Sequence, residues 1–165
     1  MQLETLLSRT TQVDFGAQFV KSKFKRFPNA SCTNFTPGAA IPYAPITCDA
    51  TGNRLPFAPR LKFNAGATHE LALGSSGALK LGANLAYNSG YFAESDNVVR
   101  QTAFATIDAS AEWRPAADGL SVRFWISNLT NAHYYNNLVT FPTAGVLQSP
   151  AAPRRIGASL EFSRG

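Results

Sequence analysis

The sequence predicts an all-β fold: an antiparallel up-and-down transmembrane β-barrel segment of about seven strands, an incomplete barrel. Three observations carry this reading. Apolar and polar residues alternate with period two over long stretches, as in strands with one apolar and one polar face. Connections are short after the first, third and fifth strands and longer after the second, fourth and sixth. The 165 residues hold no apolar run of ~18 and no useful helical stripe, whereas twelve Gly and ten Pro favour strands joined by turns. Hairpins of ~10-residue strands, with short loops at one end and long loops at the other, are the pattern of outer-membrane barrels. A soluble β-sandwich would show the same alternation, but with shorter strands and the polar face outward.

The elements follow in order. Leu3, Thr5 and Leu7 alternate with Gln2 and Glu4 in a short first strand. Val13, Phe15, Ala17 and Phe19 alternate with polar neighbours in the second, and Lys21, Lys23 and Lys25 continue the same parity. The outer face is therefore expected to pass from apolar to basic along one strand. Residues 27–59, with six prolines, read as a long irregular segment that excludes a central strand. Leu61–Leu73 forms the third strand, Gly74-Ser-Ser-Gly77 a tight turn, and Leu79–Tyr87 the fourth strand. A polar loop, Ala93–Arg100, precedes the fifth strand, Ala103–Trp113, in which Phe104 is the exception on the polar side. Pro115–Gly119 turns into the sixth strand, where Leu120, Val122, Phe124 and Ile126 share one parity and Ser121, Arg123, Trp125 and Ser127 the other. Asn131–Pro153 reads as a loop, and Ile156–Phe162 as the last strand.

Charged residues make up 15% of the chain, against a usual ~25%, and the net charge is +5. Lys21–Arg26, with Phe24 and Phe27, is the one basic cluster; it reads as a solvated strand end, and no nucleic-acid partner is expected. Cys32 and Cys48 form no Cys-x-x-Cys and have no nearby His, so a loop-stapling disulfide is favoured over zinc or two free thiols. Such a staple implies an oxidising compartment and contributes about 3 kcal/mol in the chain-entropy model. The N-terminus lacks the basic start and apolar core of a signal peptide, so an exported chain would be mature or a piece of something longer.

No catalytic constellation is found, so no enzyme activity is expected. His69 and His133 are far apart in sequence, Asp108 and Glu112 read as a hydrated wall, and no phosphate-binding Gly-rich loop opens a helix. No cofactor or metal is expected. Three Asn-x-Ser/Thr triplets, at Asn29, Asn34 and Asn128, would be inert in a bacterial protein.

Four stretches carry a family resemblance. They are Leu55-Pro-Phe-Ala-Pro-Arg60; the hairpin of Ile107–Trp113 with Val122–Ile126; Asn128-Leu-Thr-Asn followed by Tyr134-Tyr135; and Pro153-Arg-Arg-Ile-Gly-Ala-Ser-Leu-Glu-Phe162. Together they resemble the C-terminal end of a TonB-dependent outer-membrane receptor. The resemblance implies a barrel of about 22 strands around a plug, of which residues 1–165 would supply the last seven without plug or TonB box. It implies a bacterial outer-membrane, multi-pass location and a receptor for a scarce nutrient such as an iron–siderophore complex. Such a segment would not transport alone. Its partners would be the missing strands and plug, outer-membrane lipid and lipopolysaccharide, and the TonB complex only through the missing N-terminal part. Family chains commonly end on an aromatic; Phe162 has that parity, but Ser163-Arg-Gly165 follow.

Within this frame Tyr87, Tyr91, Tyr134, Tyr135, Trp113 and Phe162 are expected to form interfacial belts. Lys21, Lys23 and Lys25 would meet anionic headgroups or lipopolysaccharide phosphates. Loops 27–59, 93–100 and 131–153 are the candidates for ligand recognition. Trp125, on the lumen parity, would pack against the plug and stand exposed without it. The competing functions are a small outer-membrane barrel completed by oligomerisation and a secreted β-sandwich binding module.

Overall fold

The structure, a computed structural model, describes residues 2–35, 43–116, 119–141 and 145–162. In chain order the strands are β1 (Gln2–Ser8), β2 (Thr11–Phe19), β3 (Ala30–Phe35), β4 (Tyr43–Cys48), β5 (Leu61–Ala72), β6 (Ala78–Asn88), β7 (Tyr91–Phe92), β8 (Arg100–Gln101), β9 (Phe104–Arg114), β10 (Leu120–Ser127), β11 (Tyr135–Phe141), β12 (Gly145–Pro150) and β13 (Arg155–Phe162). The seven strands that the alternation predicts form one antiparallel sheet in the order β1-β2-β5-β6-β9-β10-β13. The sheet is open at both edges. Six successive antiparallel pairings leave β1 and β13 parallel to each other.

The register turns the period-two pattern into rows that cross the sheet. One face carries Leu3–Phe15–Ala65–Leu85–Ile107 and Val13–Ala67–Ala83–Ala109–Ile126–Ile156. The other carries Glu4–Asp14–Gly66–Asn84–Asp108 and the alternating charges Glu70–Lys80–Glu112–Arg123. Opposite charges directly across a ladder attract, so the second polar row is largely self-compensated. Arg114 adds to it by ion-pairing with Glu70 and Glu112.

No second layer covers the apolar face among the described residues. Phe19, Phe124, Ile156, Leu160 and Phe162 are 61–77% exposed. A continuous apolar face of this size is what a soluble domain avoids and what a lipid-facing sheet requires. The β-sandwich alternative fails here: a sandwich needs two sheets face to face, and the three further sheets described are two-stranded loop ribbons. The buried apolar side chains, Ala30, Cys32, Ala50, Ala93 and Leu138, all lie outside the large sheet, at its long-loop end.

Four expectations change. Residues 27–59 are not irregular throughout: β3 and β4 pair as a hairpin with Cys32 opposite Ile46 and Thr33 opposite Pro45. In a two-stranded ribbon every strand is an edge, where a proline need cost no ladder bond. The loop 131–153 likewise contains the hairpin β11–β12. Third, β2 stops at Phe19, so Lys21, Lys23 and Lys25 do not extend its outer face. The chain leaves the sheet there because Phe24 and Phe27, with ring centroids 4.9 Å apart, pack on the Ala30, Cys32 and Ala50 cluster. Backbone bonds from Phe24 N–H to Asn53 O and from Gly52 N–H to Phe24 O fix that course, both at 2.9 Å.

Fourth, Trp125 is half-buried rather than the most exposed aromatic. Its cross-strand neighbour on β13 is Gly157. A Cβ at that position would collide with Trp125 Cζ2, so the ring lies over the glycine and finds its cover within the sheet. We predict that Gly157→Leu destabilises the β10–β13 pairing by about 1–3 kcal/mol through overpacking. Denaturant midpoints check this: Trp125→Ala added to Gly157→Leu should recover part of the loss.

Candidate functional site

The long-loop end of the sheet is a crown of loops docked on one another, and residues 93–101 are its hub. Glu94-Ser-Asp-Asn97 is a run of turn formers, and Asn97 adopts a left-handed φ of 59° that asparagine tolerates better than most residues. Its amide accepts from Arg54 N–H at 2.8 Å and donates to Arg54 O at 2.9 Å. Asn53 Nδ2 donates to Ser95 O at 2.9 Å. Asp96 Oδ2 accepts from Thr33 N–H at 2.9 Å, which ties the β3–β4 hairpin to the hub. Glu94 Oε1 accepts from Thr140 N–H, and the buried Gln101 accepts from Tyr135 N–H at 2.8 Å, which ties in β11–β12. Side-chain acceptors on one loop thus satisfy backbone donors on two others.

The hairpin β3–β4 carries the disulfide Cys32–Cys48. Nearby, Asp49 holds its carboxyl below the usual range through hydrogen bonds from the Thr51 hydroxyl and backbone. Tyr91 packs against Phe57 in a tilted pair, centroids 5.4 Å apart, and burial raises its phenol pKa.

A second anchor lies where β10 leaves the sheet. Asn128 is buried and left-handed, with φ 52°. Its backbone N–H donates to Asp108 Oδ1 at 2.8 Å, its Oδ1 accepts from Ala132 N–H at 2.8 Å, and its Nδ2 donates to Ala132 O at 3.0 Å and to Ala152 O at 3.3 Å. The Asn-Leu-Thr-Asn stretch is therefore a pin that joins β9, the β10 exit and the approach to β13.

Below the crown, the concave polar face forms a trough of about 490 Å³ that includes Asp14, Asn84, Asp108, Arg123 and Trp125. Asp108 serves the Asn128 pin and also lines this trough, so it belongs to the wall rather than to a carboxylate pair with Glu112. His69 lies next to Thr11, Nδ1 to Oγ1 2.7 Å, and His133 is exposed. Among the described residues no group of three or more His, Cys, Asp and Glu could hold a metal ion.

The aromatics expected in interfacial belts stand in several different places. Tyr87 stacks on Phe63 at the long-loop end of the apolar face. Trp113 and Phe162 are exposed at the short-turn end, with Trp113 Nε1 donating to Ser76 O at 2.9 Å. Tyr134, Tyr135 and Tyr91 do not join them. Tyr134 lies flat on Phe104, centroids 4.1 Å apart and planes 6° from parallel. Phe104 pairs with Asn88 on the polar parity, so this stack turns to the concave side, and it explains why an aromatic stands at that position. Tyr135 and Tyr91 belong to the loop ribbons. Lys21, Lys23 and Lys25 are exposed on the crown's flank. Sequence reasoning missed Arg54, Glu94, Asp96, Asn97 and Gln101; their turn-forming context was visible, but their partners lie some 30–60 residues away.

A family model described as the TonB-dependent receptor-like β-barrel matches residues 11–129. Among solved structures, the ferric yersiniabactin uptake receptor FyuA from Yersinia pestis matches 98% of this chain and 22% of its own, with a TM-score of 0.73 at 17% identity. The siderophore receptor PiuA from Acinetobacter baumannii matches 98% of this chain and 20% of its own, with a TM-score of 0.73 at 16% identity. FpvA from P. aeruginosa, solved with a bound pyoverdine–iron complex, matches 98% and 18%, with a TM-score of 0.62 at 15% identity. The chain spans about a fifth of the length of these receptors. At these identities the likeness is one of fold. No curated protein matches the sequence.

Proposed function

The chain belongs to the TonB-dependent receptor β-barrel family, a family of outer-membrane proteins, and on that premise we propose that residues 1–165 are the C-terminal part of the barrel of a receptor that imports a scarce nutrient, such as an iron–siderophore complex. The observation that carries this reading is the open seven-stranded sheet, apolar on one face and polar on the other, with docked loops at one end. The apolar face meets lipid, and the strands cross the membrane several times. The polar trough lines the lumen and packs against a plug supplied N-terminally, through which the TonB complex acts. The crown of loops contributes to the outer recognition surface.

The odd strand count argues against the small-oligomer alternative. Joining β13 of one copy to β1 of the next, head to tail, would make a parallel seam in an otherwise antiparallel wall. The seven strands therefore need an odd number of further strands to close, and they do not transport alone.

Uptake tests the reading. Deleting the gene that carries this chain should lower uptake of at least one ferric chelate under iron limitation. Unchanged uptake across a broad siderophore panel would contradict it.

In this reading Lys21, Lys23 and Lys25 stand beside the membrane's outer surface, where each cation near anionic headgroups gains about 1 kcal/mol. Reversing all three to Glu in the full-length protein should weaken co-purification with lipopolysaccharide. Undiminished lipopolysaccharide content would remove this contact from the account.

A further inference from the structure

Between the β6 exit and the β7–β8 ribbon lies a cavity of about 200 Å³, whose walls include Arg54, Tyr91, Phe92, Arg100, Gln101 and Thr102. Two cations line it and no carboxylate does. Arg54 is held in place from three sides. Its guanidinium lies 5.4 Å from the Phe92 ring centroid, its Nη2 donates to Ala58 O at 3.0 Å, and its backbone is bonded on both sides to the Asn97 amide. Among the described residues neither arginine forms an ion pair; the arginine ion pairs are those of Arg114. The Gln101 amide is already engaged with Thr102 O and Tyr135 N–H. The Tyr91 phenol, which burial shifts further from ionising, is a donor rather than an opposing charge.

A guanidinium fork fits the paired oxygens of a carboxylate or phosphate, and a pre-positioned one loses little freedom on binding them. The volume is below the ~300 Å³ of a drug-sized pocket, so it suits one anionic group and not a whole ligand. We propose that this cavity binds a carboxylate or phosphate group, with Arg54 and Arg100 as its cationic contacts. The inference rests on the reading of the loops as the recognition surface, and it names the chemical class recognised there. The group belongs either to a soluble ligand held by the crown or to a lipopolysaccharide phosphate.

The test uses the full-length protein in lipopolysaccharide-free non-ionic detergent, titrated with citrate and with inorganic phosphate while the thermal midpoint is followed. At least one of the two should raise the midpoint saturably. Arg54→Gln with Arg100→Gln should weaken the apparent affinity at least tenfold, while Arg154→Gln with Arg155→Gln leaves it unchanged. Arg100→Gln alone alters an exposed side chain and should still weaken binding severalfold if the double variant fails to fold. No saturable shift with either anion, or equal shifts in the wild type and the Arg100→Gln protein, would overturn the proposal. Displacement of the bound anion by purified lipopolysaccharide assigns the site to lipid phosphate; retention assigns it to a soluble ligand. Uptake retained without saturable anion binding would remove this inference and leave the receptor reading standing.

Discussion

Replacing Phe124 by arginine is expected to prevent most of the full-length protein from reaching a folded, heat-modifiable form in the outer membrane. Phe124 lies near the middle of β10, is 61% exposed, and pairs with Ala111 on one side and Ala158 on the other. Neither neighbour can screen or pair a charge. A lipid-facing arginine at the bilayer midplane costs about 2–4 kcal/mol, a large share of a marginal folding free energy. The matched control is Asn84→Arg. Asn84 is exposed on the opposite face, and its row places Asp108 beside it. That change should cost clearly less, because the new charge stands on the polar face beside a carboxylate and not against lipid. Gel migration with and without heating, scored on membrane fractions, separates the two outcomes. Equal loss in both variants would mean that the faces are not lipid and lumen.

Asn128→Ala is expected to destabilise the full-length protein by about 3–5 kcal/mol, read as a fall in the denaturant midpoint. Asn128 is 4% exposed, so water replaces little of what its side chain satisfies. Truncation leaves the Ala132 N–H and the Ala132 and Ala152 carbonyls without this partner. It also puts an alanine at φ 52°, a left-handed conformation that costs about 1–2 kcal/mol without asparagine's local bonds. Asn128→Gly should relieve the backbone part alone and fall between alanine and wild type. Asp108→Ala removes the carboxylate that accepts Asn128 N–H, and its effect should be less than additive with Asn128→Ala because both act on one pin. Full additivity would separate the two residues energetically and contradict the anchor.

The sheet was legible because its information is local. Leu79–Tyr87 and Leu120–Ile126 announce their faces residue by residue, and each short turn fixes the pairing of the strands it joins. The loop ribbons were not legible, for two reasons. Pro45 in β4 reads as a breaker, although a two-stranded ribbon tolerates it. The bonds that assemble the crown run between distant residues, Thr33 to Asp96 and Arg54 to Asn97, and no periodicity encodes them. The lysine run shows the limit of parity. Lys21, Lys23 and Lys25 keep the period of β2, but Phe24, on the other parity, and Phe27, two positions past the run, draw the chain into the loop core. Trp125 shows a different limit, because its cover depends on which β13 residue stands opposite, and that is a matter of register. Asn128 was legible as part of a motif, while its role as a buried junction required the fold.

Collision accessibility of spin labels placed singly at positions 120 to 127 of the full-length protein in a lipid bilayer tests the central claim most directly. Labels at 120, 122, 124 and 126 should meet membrane-dissolved oxygen preferentially. Labels at 121, 123, 125 and 127 should be far less exposed to it and, where not covered by the plug, should meet a water-soluble nickel chelate. An alternating profile of that sense places Leu120, Val122, Phe124 and Ile126 against lipid and Ser121, Arg123, Trp125 and Ser127 toward the lumen. A profile without period two, or with the two sets reversed, would contradict the membrane-barrel reading of this chain.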